Sequence, residues 1–67
     1  ELINTINSFL KKQKYGTRAV FIKRYFYFFT IREISKQTGM SETQITTLLY
    51  RTRKELKQYL IKEGYSL

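Results

Sequence analysis

Apolar residues near the start of the chain recur at three- and four-residue spacing, which places them on one face of a helix. The residues on this face are Leu2, Ile3, Ile6, Phe9 and Leu10. The spacing predicts a first amphipathic helix. The polar and basic stretch from Lys11 to Gly16 is then the connection that follows it.

The segment from Thr17 to Phe29 is dense in apolar and aromatic residues. Because it lacks strict alternation and begins with a residue type that caps helices, the pattern favours a second helix. Its β-branched and aromatic content also suits a strand, which stays an alternative. As a helix, the segment would be apolar around most of its circumference. Three partner helices cannot bury every side, so we expect an exposed apolar patch that marks a partner, unless the first helix covers it.

Two capping signatures predict the remaining helices. Thr30 is followed three residues later by Glu33, and Ser41 is followed by Gln44, as in a capping box. The glycines are expected to mark the breaks between helices, and they are Gly16, Gly39 and Gly64. The last helix carries one apolar stripe, formed by Ile45, Leu48, Leu49, Thr52, Leu56, Tyr59 and Leu60.

The two capped helices are separated by so few residues that they must cross steeply, as in a helix-turn-helix. Ser35 supplies a small side chain at the crossing, and Gly39 supplies the tolerance of positive φ that a tight turn needs. Thr38 departs from the pattern, since a bulkier apolar residue is expected there. The apolar anchors that flank the crossing are Ile34, Met40, Ile45 and Leu48. An ordinary helical hairpin that binds nothing is the alternative.

These elements predict an all-α fold, a four-helix domain with a C-terminal helix-turn-helix and a long recognition helix. The 67 residues form one domain, residues 1–67, near the lower limit for a self-sufficient hydrophobic core. Because the chain begins with Glu1 rather than Met, we expect it to be the C-terminal piece of a longer protein.

The charge of the chain is strongly positive, with 13 Lys and Arg against 5 Asp and Glu and a net charge of +8. No acid lies between Glu1 and Glu33. Such a charge attracts polyanions, chiefly nucleic acid or an anionic membrane surface, whereas a lysine-rich solvated surface is the plainer alternative. No apolar run approaches membrane-spanning length and no signal peptide is visible. We therefore expect no membrane insertion and a cytoplasmic location.

Side chains for catalysis are scarce. The chain has no histidine and no cysteine, and it has only five acids. The commonest general bases, nucleophiles and metal ligands are therefore few or absent. We expect neither an enzyme, nor a metal site, nor a cofactor.

The face of the last helix opposite its apolar stripe carries the candidate DNA-binding residues. Threonine and glutamine can hydrogen-bond base edges, and threonine methyl groups can meet thymine methyl groups. The candidates for base contacts are Thr43, Gln44, Thr46 and Thr47. The candidates for phosphate contacts are Arg32, Ser41, Tyr50, Arg51 and Lys54, with Arg53 and Lys57 further along the helix. A solvated polar face is the alternative.

Residues 9 to 60 resemble region 4 of the sigma-70 family of transcription factors, particularly its extracytoplasmic-function group. Matches in the helix before the motif are Val20, Phe21, Arg24 and Tyr25. Matches in the third helix and turn are Thr30, Glu33, Ile34 and Gly39. Matches in the recognition helix are Ser41, Glu42, Ile45, Leu49, Arg51 and Arg53.

The resemblance implies a domain that reads the −35 promoter element in double-stranded DNA and docks on the flap of the RNA polymerase β subunit. It also implies an anti-sigma factor as a partner for overlapping surface. Within the aromatic segment, the candidate docking residues for either protein are Phe26 and Phe28.

The chain departs from the family pattern in three places, which together comprise five residues. Gln13-Lys14 stand where the family has Leu-Pro, and Phe28 stands where it has glycine before the third helix. Thr46 and Leu48 stand where basic residues are common in the recognition helix, and we expect Leu48 to pack in the core.

Two other functions fit the same pattern. The first is another helix-turn-helix regulator, such as a response-regulator output domain or a mobile-element factor. The second is a protein-interaction module, such as an anti-sigma-binding domain, whose basic face is incidental. Its best support is the aromatic cluster from Tyr25 to Phe29.

Overall fold

The computed structural model describes residues 1–66, and in this range it contains four α-helices and no β-strand. The strand alternative for the second segment is therefore wrong. The helices are α1 (Leu2–Lys11), α2 (Tyr15–Tyr25), α3 (Ile31–Thr38) and α4 (Glu42–Lys62). The predicted all-α fold with a long last helix is confirmed.

The long helix α4 is the element on which the others pack. It contacts each of the other three helices. The domain measures 37 × 19 × 18 Å, and the 21 residues of α4 span about 32 Å, so this helix sets the longest dimension. The core cluster joins all four helices through Phe9, Leu10, Val20, Phe21, Ile34, Ile45 and Leu49.

The steep crossing of α3 and α4 is built as predicted. Ile34 and Ile45 face each other's helices in the core and are both 0% exposed. Gly39 takes a φ of 78°, and its N–H donates to the carbonyl oxygen of Ser35. The hydroxyl of Ser35 in turn donates to the carbonyl oxygen of Met40 at 2.6 Å. The small side chain thus fits the crossing and also fixes the turn.

The surroundings of Thr38 explain why this position does not need the expected apolar residue. Its side chain is exposed, so no large apolar group is needed there. Its hydroxyl donates to the carbonyl oxygen of Ile34 at 2.8 Å and accepts from the N–H of Met40 at 3.2 Å. Thr38 therefore stabilises the turn through hydrogen bonds rather than through packing.

Both predicted capping boxes are present. The N–H of Glu33 donates to the Thr30 hydroxyl at 3.0 Å, and the N–H of Thr30 donates to the Glu33 carboxylate at 2.8 Å. Ser41 and Gln44 form the same pair of bonds at the start of α4. Each box satisfies two backbone donors that a helix end leaves without partners, so both helices begin at defined residues.

The start of α2 differs from the prediction. The helix begins at Tyr15, so Gly16 lies inside its first turn and does not break it. Lys14, rather than Thr17, is the N-cap, and it makes no side-chain capping hydrogen bond. Glycine ends a helix where the backbone needs positive φ, and only the two other glycines, Gly39 and Gly64, have it.

The end of α2 also differs, because the helix stops at Tyr25 instead of continuing to Phe29. Phe28 takes a φ of 60°. The N–H of Phe29 donates to the carbonyl oxygen of Lys23, while Arg24 donates to the carbonyl oxygen of Phe29 at 3.1 Å. Residues 26–29 therefore form a turn, and the expectation that they cover a helix surface is wrong.

Candidate nucleic-acid interface

The face of α4 turned away from the core carries the two central candidates for base contacts. At about 100° per residue, Thr43 and Thr47 lie within about 40° of each other. Lys54 lies between them in angle, three and two turns further along. All three side chains are exposed, whereas Ile45 and Leu49 on the opposite side are buried. The structure therefore brings the threonines together at the N-terminal half of the predicted recognition helix.

The other two candidates for base contacts are placed differently. Thr46 lies about 60° around the helix from Thr43, and its hydroxyl donates to the carbonyl oxygen of Glu42 at 2.9 Å. Gln44 is exposed, but its side-chain oxygen accepts from the N–H of Ser41 at 2.8 Å. Its amide group keeps its two N–H donors for another partner. Ser41 is exposed too, and its hydroxyl oxygen accepts from the N–H of Gln44.

The candidates for phosphate contacts are all on the surface. Arg32 lies in the first turn of α3, and Arg51 and Lys54 lie in the middle of α4. All three are exposed, and Tyr50 is 59% exposed. Arg53 is the exception among the basic residues of α4, because its guanidinium donates to the Tyr25 hydroxyl at 2.6 Å. This bond to α2 uses one of the five N–H donors of an exposed guanidinium, and the role of Arg53 as a further phosphate contact stays a prediction.

The pKa of Glu33, the acid in the first turn of α3, is shifted by its capping partners. Hydrogen bonds from the backbone and hydroxyl of Thr30 hold the pKa of the Glu33 carboxyl below its ordinary value of 4.5, and Lys36 adds to the effect. The ionised carboxylate accepts these hydrogen bonds at the positive end of the α3 dipole, so its charge strengthens the capping box.

An open groove of about 720 Å³ lies beside the candidates for base contacts. One wall is formed by Lys12 and Lys14 in the connection between α1 and α2 and by Thr17 in the first turn of α2. The other wall is α4, with Thr43, Thr47 and Arg51. Neither Lys12 nor Lys14 was among the predicted DNA contacts, and the signal in the sequence was the basic run that begins at Lys11. Only the fold shows that this run faces the recognition helix.

A separate surface carries the exposed aromatic residues. Phe26 is 54% exposed, Tyr27 is 67% exposed and Phe28 is 80% exposed. Phe26 and Tyr27 line a shallow concavity of about 250 Å³ together with Leu10 and Ile22. We call the three exposed aromatic residues Phe26, Tyr27 and Phe28 the aromatic patch. The concavity shares no lining residue with the groove beside α4, so the two surfaces are distinct.

In the part of the chain that the structure describes, no helix is long and apolar enough to cross a membrane. The same residues contain no group of three or more histidine, cysteine, aspartate or glutamate side chains placed to hold a metal ion.

Two capped helices that cross at a tight turn, with a basic and polar exposed face on the second, define a helix-turn-helix DNA-binding domain. Residues 15–56 match the family model described as "Sigma-70, region 4". The chain belongs to this family, whose members are DNA-binding domains of transcription initiation factors and not enzymes. The matched range covers α2, α3 and most of α4. No curated protein and no solved structure is significantly similar to the chain.

Proposed function

We propose that this domain recognises the −35 element of a promoter as part of a sigma factor of the extracytoplasmic-function group. The observation that supports this best is the exposed pair Thr43 and Thr47 at the capped N-terminal end of α4. In helix-turn-helix proteins, this end of the recognition helix enters the major groove. Promoter DNA and RNA polymerase occupy the bacterial cytoplasm, which is the location we propose.

The capping box at Ser41 fixes the start of α4 and therefore the direction of the side chains proposed to contact bases. Because the first turn of α4 is held by two hydrogen bonds between Ser41 and Gln44, the side chains that follow it start from a fixed backbone position. Phosphate contacts from Arg32, Arg51 and Lys54 then set the register of the helix on the duplex without reading sequence.

The composition of the first half of α4 bears on which bases are read. Residues 42–50 contain no arginine or lysine, the residue types that most often contact guanine. Leu48, which stands where the family often has a basic residue, is half-buried and packs against the core as expected. The available threonines suit thymine methyl groups. We therefore propose a −35 element in which the contacted pairs are mainly A·T.

The aromatic patch is the site that we propose for docking on the β-subunit flap, with an anti-sigma factor competing for overlapping surface. Exposed aromatic residues are frequent anchors at protein interfaces. Phe26 is the better anchor of the two predicted residues, because it lines an apolar concavity with Leu10 and Ile22 that a partner helix could enter. The patch lies apart from the groove beside α4, so polymerase and DNA can bind together.

The experiment that tests promoter recognition is a selection from random DNA with the full-length sigma factor and core polymerase. We expect a conserved −35 motif that is rich in A·T pairs, and we expect the Thr43→Ala, Thr47→Ala double variant to change that motif. An unchanged motif in the double variant would refute the assignment of these residues. Sequence-specific binding by a dimer that needs no polymerase would favour another class of helix-turn-helix regulator.

The experiment that tests docking compares Phe26→Asp with Ile61→Asp. Both residues are about half exposed, and Ile61 lies near the far end of α4. We expect both variants to fold, as judged by circular dichroism, and only Phe26→Asp to lose binding to an isolated flap fragment. Equal flap binding by the two variants would contradict the docking site.

A further inference from the structure

Lys14 is not among the residues predicted to contact bases or phosphates. It precedes α2, is exposed, and lines the groove beside α4. Across that groove stand Thr43, Thr47 and Arg51. The lysine is therefore brought next to the recognition face by the fold, although about 30 residues of sequence separate the two walls.

We infer that this groove holds the sugar–phosphate backbone of the DNA strand that borders the major groove, with Lys14 as a phosphate contact opposite α4. This inference rests on the proposed DNA binding. It adds a contact from outside the helix-turn-helix, at a position where the family pattern has Leu-Pro and this chain has Gln13-Lys14.

The charge of the groove supports a phosphodiester occupant. Lys12, Lys14 and Arg51 contribute three positive charges to its walls, against the single acid Glu55. A chain of phosphates with one negative charge per nucleotide is the complementary ligand. The groove is open to solvent and not an enclosed cavity, which suits a backbone strand better than a small molecule that needs enclosure.

The position of the groove supports the same occupant. If Thr43 and Thr47 contact bases, the recognition helix lies in a major groove about 12 Å wide, with a phosphate strand on each side. The open groove follows one side of α4 from Thr43 to Glu55. One of the two bordering strands therefore passes between α4 and the connection that carries Lys14.

Lys14 is better placed than Lys12 for this contact. The ammonium group of Lys12 lies 5.4 Å from the centre of the Tyr59 ring, an interaction that directs it toward the C-terminal half of α4. Lys14 is exposed and stands directly before α2, so its flexible side chain can reach a ligand in the groove.

The test is a salt titration of duplex binding by the chain and by two variants, Lys14→Gln and Lys11→Gln. Lys11 is an exposed lysine that lines a different concavity, beside Asn7 and Arg18. Each variant loses one charge, so long-range attraction falls equally. We expect Lys14→Gln alone to reduce the log–log salt slope by about one and the affinity about fivefold to tenfold at 0.1 M salt, for all sequences alike.

Two further variants keep the test decisive. Lys14→Ser removes the charge but supplies a good helix N-cap, so it folds at least as well and should lose the same slope. Lys14→Arg should keep the slope. Equal slopes for Lys14→Gln and Lys11→Gln would overturn the inference while leaving the proposed function intact. A flat salt response of the unmodified chain would instead contradict DNA binding itself.

Discussion

The guanidinium of Arg53 donates a hydrogen bond to the hydroxyl of Tyr25 at 2.6 Å and so joins the middle of α4 to the last residue of α2. The Tyr25 ring also packs against Phe21, with 4.8 Å between ring centres. Through this bond, the point where α2 ends and the aromatic patch begins is tied to the recognition helix. Arg53 lies about 100° around α4 from Lys54, and its bond to Tyr25 directs it toward α2.

The first prediction concerns this bond. We expect Tyr25→Phe to lower the free energy of unfolding by about 1 kcal/mol, because it removes one hydrogen bond and keeps the ring. Urea denaturation measures the change. Arg53→Gln should cost about the same, and the double variant should cost less than the sum, since both remove one interaction. DNA affinity should change far less than in Arg51→Gln. Strictly additive effects would show that the bond contributes nothing to stability.

The second prediction separates base contacts from phosphate contacts on α4. We expect Thr47→Ala to change the preference at particular base pairs by about 1–3 kcal/mol, because a threonine that reads a base discriminates between sequences. Lys54→Gln should weaken binding to every sequence about equally and flatten the salt dependence. Binding to a panel of −35 variants measures both effects. If the two variants gave the same profile across the panel, the base-facing assignment of Thr47 would be wrong.

The third prediction concerns Phe28, which holds a φ of 60° where the family pattern has glycine. A non-glycine residue in the left-handed region costs about 1–2 kcal/mol. Because the ring is 80% exposed, its removal forfeits little packing. We therefore expect Phe28→Gly to raise the free energy of unfolding by up to about 1 kcal/mol and not to lower it. This figure allows for the greater conformational entropy of glycine in the unfolded chain, which offsets part of the gain.

Phe28→Ala is the matched control for that experiment, because it removes the same ring and keeps a side chain at the strained backbone position. Thermal or urea unfolding compares the two variants. A Phe28→Gly variant that is less stable than Phe28→Ala would show that the backbone at this position is not strained.

The fourth prediction concerns how the stability contributed by Glu33 depends on pH. The pKa of Glu33 is lower in the folded chain than its ordinary value of 4.5, so its contribution to stability is present above that value. The contribution is lost as the pH falls through the lowered pKa. We expect Glu33→Gln to be less stable than the unmodified chain at neutral pH, with the difference shrinking in acid. Unfolding at several pH values, with Glu63→Gln as the control, checks this. A difference that does not depend on pH would contradict it.

The sequence by itself determined the helix-turn-helix. The capping boxes at Thr30 and Ser41, the positive φ at Gly39 and the apolar stripe of α4 are all local features, each formed by residues within a few positions of one another. Their energies depend on hydrogen bonds and side-chain periodicity along a single helix, and those can be evaluated without knowing what packs nearby. The exposed position of Thr43 and Thr47 on α4 followed from the same periodicity.

Only the tertiary structure decided the features that depend on contacts between distant segments. Gly16 could not be recognised as helical, because the packing of α2 against α3 and α4 stabilises the helix and offsets the weak propensity of one glycine in its first turn. The end of α2 at Tyr25 could not be recognised either, because a continuous aromatic run does not show that Phe28 adopts a positive φ. The partner of Arg53 is 28 residues away, and a charge pattern does not distinguish a phosphate contact from a bond to Tyr25. The groove places Lys14 opposite Thr47 because α4 is long enough to contact α1, α2 and α3. These contacts depend on the packing of the whole domain.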